Sequence, residues 1–250
     1  MSQAPQPHET NTQPNLVAEN FRLLEGAGEI GKTLVPVYAT ALAMAPELSV
    51  VRLTDEFTPP TTEEGETTIE AQPTHKTASA IHGAFTKDGL HTIFVNLADN
   101  GIAFEAATKD APICRSVMAN TVGVYPADLK KELFASFLLG HELGHAVHFI
   151  NSTPDKATFI NERFRDMQTL PFSNRQPYDI EQWLKQPGGQ SYFDNFRDYW
   201  AKKRDIDSVE ELIRAQAEAY RAMPTEARAD QFALSVLAAL PDDNGRGDRT

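Results

Sequence analysis

Residues 129–150 read LKKELFASFLLGHELGHAVHFI, and the fold turns on whether this stretch is one helix. Phe134, Phe137, Leu138, His141, His145 and His148 recur at three- and four-residue intervals, so a single stripe faces inward. Asp128 stands ahead of it as an N-cap, and the run from Asn151 to Pro154 ends it. Inside the helix, HELGH (141–145) spells H-E-x-x-H. His141 and His145 lie one turn apart, so their rings leave the same face and reach one ion at Zn–N distances of about 2.0–2.1 Å. Glu142 is rotated from His141 by about 100°, which lets it miss the metal and face water bound there, the position of a general base. Gly144 keeps the helix surface thin. The apolar flanks LLG and AVHFI place the motif in the core, where a chance pair of surface histidines would not sit.

A competing motif lies upstream. GAGEIGKT (26–33) satisfies the phosphate-loop template G-x-x-x-x-G-K-[ST] and would make the chain a nucleotide-binding protein through Lys32. A working phosphate loop follows a buried strand and opens a helix. Here the preceding AENFRLLE is amphipathic at helical spacing, and no apolar strand is present. The 107 residues between Thr33 and His141 hold a hairpin pattern and a long connection, not alternating strands and helices. The match reads as a helix–turn–helix corner with glycines at the turn, Pro36 sitting early in the second helix.

A catalytic zinc site takes three protein ligands and leaves a position open. Three residues compete for the third place. His148 extends the same helical face, or lines the cleft. Glu162 lies in NERFRD, which resembles the N-E-x-x-S-D of thermolysin, but bulky Arg165 replaces the small residue. Glu226 lies in TEARADQFA, on a helix whose apolar run marks it as buried.

The other elements follow from periodicity and punctuation. Helical spacing runs over 16–24 and 33–45, and LSVVRL (48–53) is strand-like. Residues 80–85 and 90–97 flank Thr-Lys-Asp-Gly as a hairpin. Residues 98–125 read as a long connection. A mainly helical section with Trp183, Tyr192, Tyr199 and Trp200 follows. Ser208 and Glu211 form a capping box for a helix to about Ala222, and Thr225 caps a last helix after Pro224. The segments 1–15 and 241–250 have disordered composition, and the Arg-Gly-Asp near the end reads as part of a solvated tail.

Composition bounds the partners. With 35 acidic against 23 basic residues, the net charge of −12 repels phosphate backbones, so nucleic acid is not expected as a partner. No uncharged run is long enough to cross a bilayer, and no secretory signal opens the chain, so a cytoplasmic protein without membrane contact is expected. Cys114, the single cysteine, reads as a small buried apolar group in a reducing compartment.

H-E-x-x-H followed by E-x-x-A-D-x-x-A (226–233) resembles the gluzincin zinc metallopeptidases. That resemblance implies zinc ligation by His141, His145 and Glu226, a catalytic base at Glu142, and Asp230 orienting a zinc histidine. Within gluzincins, IFVN, HELGH and ADQFALSVLAALP are similar to the soluble ImmA/IrrE-type peptidases, although the 80 residues between His145 and Glu226 make a longer spacer. The implied protein is an α+β zincin-like domain over 16–240 with a helical insertion at about 152–206. Its cofactor is Zn2+, and it hydrolyses a protein or peptide substrate. His148, Tyr192 and Tyr220 are candidates to line the cleft or donate to an oxyanion. The strand from His91 to Leu97 is a candidate to pair with substrate backbone. Non-catalytic zinc binding is the alternative.

Overall fold

The computed structural model describes residues 15–55, 80–83, 91–97, 104, 109–152, 156–173 and 175–241. The disorder expected at both ends, the hairpin turn and the Arg-Gly-Asp lie outside these residues, apart from Asn15 and Pro241.

Helix α1 (Leu16–Glu25) is capped by Asn15, whose side chain accepts from the Ala18 N–H at 3.2 Å. Gly26 and Ala27 turn the chain directly into α2 (Gly28–Met44). The phosphate-loop spelling is therefore a helical corner. A Cβ on Gly31 would sit 1.9 Å from the Leu24 carbonyl oxygen, so glycine is needed where α2 folds back on α1. Lys32 lies on the outer face and pairs with Glu29 at 2.6 Å. Because α2 begins at Gly28, Pro36 stands inside the helix rather than early in it as expected.

The strand expected over 48–53 is shorter and later. Pro46–Val50 forms a 3-10 turn started by the fixed φ of Pro46, and β1 covers only Val51–Thr54. β2 (Ala80–Gly83) and β3 (His91–Val95) complete a sheet of order β1-β3-β2. β1 runs parallel to β3, with Val51 opposite His91. β2 is antiparallel to it, with Ala80 opposite Val95. β1's other edge is closed by buried Asn20 of α1, which accepts from the Leu53 N–H and donates to the Val51 carbonyl, each at 2.8 Å. β3 is thus the central strand, bonded on both sides. The expectation that it takes up substrate backbone is wrong, because its ladder groups are already used.

The stretch expected as a long connection contains α3 (Pro112–Val122). No residue of its own caps it. Its first amides, of Ile113 and Cys114, instead donate to buried Glu181 at 3.1 and 2.9 Å. Helix α4 (Lys131–Ser152) carries HELGH. Asp128 is not its cap: it ends a 3-10 turn, and the first helical acceptor is the Lys130 carbonyl, reached by the Phe134 N–H at 2.9 Å.

α5 (Lys156–Met167), α6 (Pro177–Leu184), α7 (Pro187–Arg204), α8 (Val209–Arg221) and α9 (Pro224–Ala239) follow. The Ser208–Glu211 capping box of α8 is complete. Thr225 does not cap α9; Met223 occupies the cap position and Pro224 begins the first turn. Thr225 donates its N–H and its hydroxyl to Asp166 of α5 at 3.1 and 2.8 Å, so that carboxylate serves the helix start.

The architecture is α+β and zincin-like: α4 packs on β2 and β3, and the C-terminal half is helical. The main core joins α1, α2, β1, β3, α4 and α9 through Leu24, Tyr38, Leu53, Ile93, Leu143 and Val236. A second cluster joins α6, α7 and α8 around Leu184, Phe193, Trp200 and Leu212. The closest pairing of elements is α4 on α9. A Cβ on Gly144 would lie 2.9 Å from Ala229 Cα, and one on Gly140 would lie 3.1 Å from Ala233 Cα. Two glycines facing two alanines let these backbones approach, which decides what their polar residues can reach. No described helix is long and apolar enough to cross a membrane.

Candidate metal centre

The inward face of α4 places His141 and His145 one turn apart, 5% and 3% exposed, and the first turn of α9 sets Glu226 opposite them with no exposure. The Nε2 atoms of the two histidines are 3.1 Å apart. Glu226 Oε2 lies 3.2 Å from Nε2 of His141 and 3.6 Å from Nε2 of His145. Three corners of a tetrahedron around zinc, at bonds of about 2.0–2.1 Å, are about 3.3–3.4 Å apart. The observed triangle brackets that edge, so the donors fit one small cation without rearrangement. Two imidazole nitrogens and a carboxylate oxygen this close in a buried place also need positive charge between them, since a buried carboxylate is costly without it.

Asp230, one turn beyond Glu226, lies with Oδ1 2.7 Å from Nδ1 of His141. That contact accounts for a proton on Nδ1, so Nε2, which faces the triangle, is the nitrogen that would meet a metal once its own proton leaves. Burial pulls the His141 pKa down. Hydrogen bonds to Asp230 and Glu226 and the nearby charge of Glu142 outweigh it and hold the imidazole up at about 9. Glu142 itself is half-buried.

The other candidates have surroundings of their own. His148 Nε2 faces Glu162 Oε2 at 3.7 Å, so the two rival third ligands stand beside each other on α4 and α5. Among the described residues, neither joins the cluster of His141, His145 and Glu226. Burial lowers the His148 pKa, and the charge of Arg228 adds to the effect. Tyr192 belongs to the aromatic cluster of the helical section, with ring centroids 5.2 Å from Trp183 and 4.8 Å from Phe196. Tyr220 is half-buried on α8. Cys114 is far from ready chemistry: burial and the neighbouring Glu181 push its thiol strongly up.

Arg221, which sequence reading did not single out, donates from Nη1 to Asp230 Oδ1 at 2.8 Å. Nothing in its local pattern marks it, because its partner belongs to the next helix. Asp166, the last residue of NERFRD, gives no local sign of its role either, because it serves Thr225 of α9, 59 residues further on.

No family model, curated protein or solved structure matches the chain. The buried His141, His145 and Glu226, on a zincin-like framework, mark a potential zinc-binding metalloprotein.

Proposed function

We propose that the chain is a zinc-dependent peptidase of the gluzincin type, with His141, His145 and Glu226 as ligands. The triangle of donor atoms, with edges of 3.1, 3.2 and 3.6 Å, supports the ligand set, and Glu142 beside His141, together with the resemblance to gluzincins, supports the hydrolysis. Bound zinc would supply a Lewis acid that acidifies water and polarises a carbonyl. Glu142 takes the proton from the attacking water and delivers it to the leaving amine nitrogen. Its place beside His141, off the ligand face, suits that task, and its charge is felt by the His141 ring. Asp230 holds His141 with Nε2 aimed inward.

Among the described residues, β2 pairs only with β3, so its other edge is the one a substrate strand would join. The section at about 152–206 is read as an insertion that braces the site, since α5 supplies Asp166 to the start of α9. The similarity of IFVN, HELGH and ADQFALSVLAALP to ImmA/IrrE-type peptidases extends the proposal to protein substrates.

A second reading, zinc binding without catalysis, draws on the near-complete burial of all three donors. Glu142 separates the two. Replacing it with Gln leaves the three donors in place, so the variant should keep its zinc and lose peptide cleavage by about 10²–10⁴-fold. A Glu142→Gln protein that retains zinc and cleaves a peptide library as fast as wild type contradicts the peptidase. A wild type that binds zinc and cleaves nothing favours the second reading.

A further inference from the structure

We propose that Arg221 is a positioning residue of the metal centre, acting through Asp230 on His141; this rests on the metal-binding reading above. One carboxylate oxygen does both jobs. Oδ1 of Asp230 is 2.7 Å from Nδ1 of His141 and accepts from Nη1 of Arg221 at 2.8 Å. Asp230 is 5% exposed, so its charge needs a lasting counterpart. When His141 binds a metal through Nε2 it is neutral and offers Asp230 only a polar N–H. Arg221 supplies the full positive charge in either state.

The anchor is itself held. Arg221 is the last residue of α8, and its guanidinium lies 5.7 Å from the ring centroid of fully buried Phe137. That ring is in turn 6.1 Å from the His141 imidazole. Arg221, Asp230, His141 and Phe137 thus close a circle around the histidine. With Arg221 removed, Asp230 can rotate away, the imidazole loses its fixed plane, and Nε2 no longer points at a single place in the triangle. Partners of metal histidines of this kind change affinity by about 10–100-fold.

A cavity of about 460 Å³ behind the metal centre is lined by Asn120, Glu218, Arg221, Asp230 and Gln231, among others. It gives the proposal a direct test, because a free guanidinium ion can enter from solvent and take the place of the lost side chain. Zinc affinity of the full chain is measured by chelator competition, and geometry by the visible absorption of the cobalt(II) form. Arg221→Ala should weaken zinc binding by about ten-fold or more and alter the cobalt spectrum. Added guanidinium, well below denaturing concentration, should restore both. In an Asp230→Asn background, Arg221→Ala should cost nothing further. Arg221→Gln, which keeps most of the aliphatic stem and removes the charge, serves as the second variant should the alanine protein fail to fold. Unchanged affinity and spectrum in a folded variant, or additive losses with Asp230→Asn, overturn the role of Arg221 alone. A wild type that takes up neither ion overturns this proposal together with the reading beneath it.

Discussion

A carboxylate with no solvent exposure has to be matched by positive charge, and at Glu226 two imidazoles stand within 3.2 and 3.6 Å. Without metal, that charge is a proton, and His141 keeps it up to a pKa of about 9. The folded value lies above the ordinary histidine value of about 6.5. The stability it contributes is therefore fully present below about pH 6.5 and is lost as pH rises through about 9. Metal binding has the opposite sign, because the ion must displace this proton. Zinc affinity should climb by up to about ten-fold per pH unit between pH 6.5 and 9, then level off. Competition titrations across that range check it; an affinity already level from pH 6.5 upward contradicts the protonated His141.

At this scale the sequence was partly legible. His141 and His145 are four apart, so helical geometry alone brings their rings together. Glu226 stands beyond a further 80 intervening residues, and its arrival could be read only from a resemblance, not from any local period. Arg221 could not be read at all, since nothing about an arginine ending an amphipathic helix announces a partner on the next one.

Between elements, the decisive contact is α4 against α9, where Gly140 and Gly144 meet Ala233 and Ala229. A methyl group at 144 would fall 2.9 Å from Ala229 Cα and 3.0 Å from its carbonyl oxygen, atoms of a backbone that cannot step aside. Gly144→Ala should destabilise the fold by about 1–3 kcal/mol and weaken zinc binding as the helices part. Denaturant unfolding and metal titration of the variant measure the two effects. Wild-type values for both would show that the close approach is dispensable.

The α1–α2 corner carries a prediction of the opposite kind. Lys32 is on an exposed helical face with Glu29, and the glycines answer to helix packing. ATP or GTP should show no saturable binding, and Lys32→Ala should change nothing. Saturable binding abolished by that substitution would restore the phosphate loop.

Helix cores were legible from their periodicity, and the α8 capping box from four adjacent residues. Two helix starts were misread for one cause. α3 and α9 receive their capping carboxylates from Glu181 and Asp166, on other helices. A helix start served from a distance leaves no mark in its own sequence. β1 lost its first residues to the 3-10 turn at Pro46, although the apolar pattern runs straight through.

For the molecule as a whole, α4 packs on the three-stranded sheet and shares the metal site with α9. The aromatic cluster of α6 to α8 forms a second apolar centre. Fold class was readable because a hairpin pattern followed by long helical periods permits few layer arrangements. Strand order was not, because a central and an edge strand of four or five residues look alike in sequence. Placing β3 in the middle moved the proposed substrate edge to β2.

Metal content, measured on wild type, Glu226→Ala and Glu162→Ala after identical purification, tests the central claim most directly. The predicted result is one equivalent of zinc in wild type and in Glu162→Ala, and little or none in Glu226→Ala. Zinc retained in the folded Glu226 variant but lost from the Glu162 variant would contradict a site built from His141, His145 and Glu226.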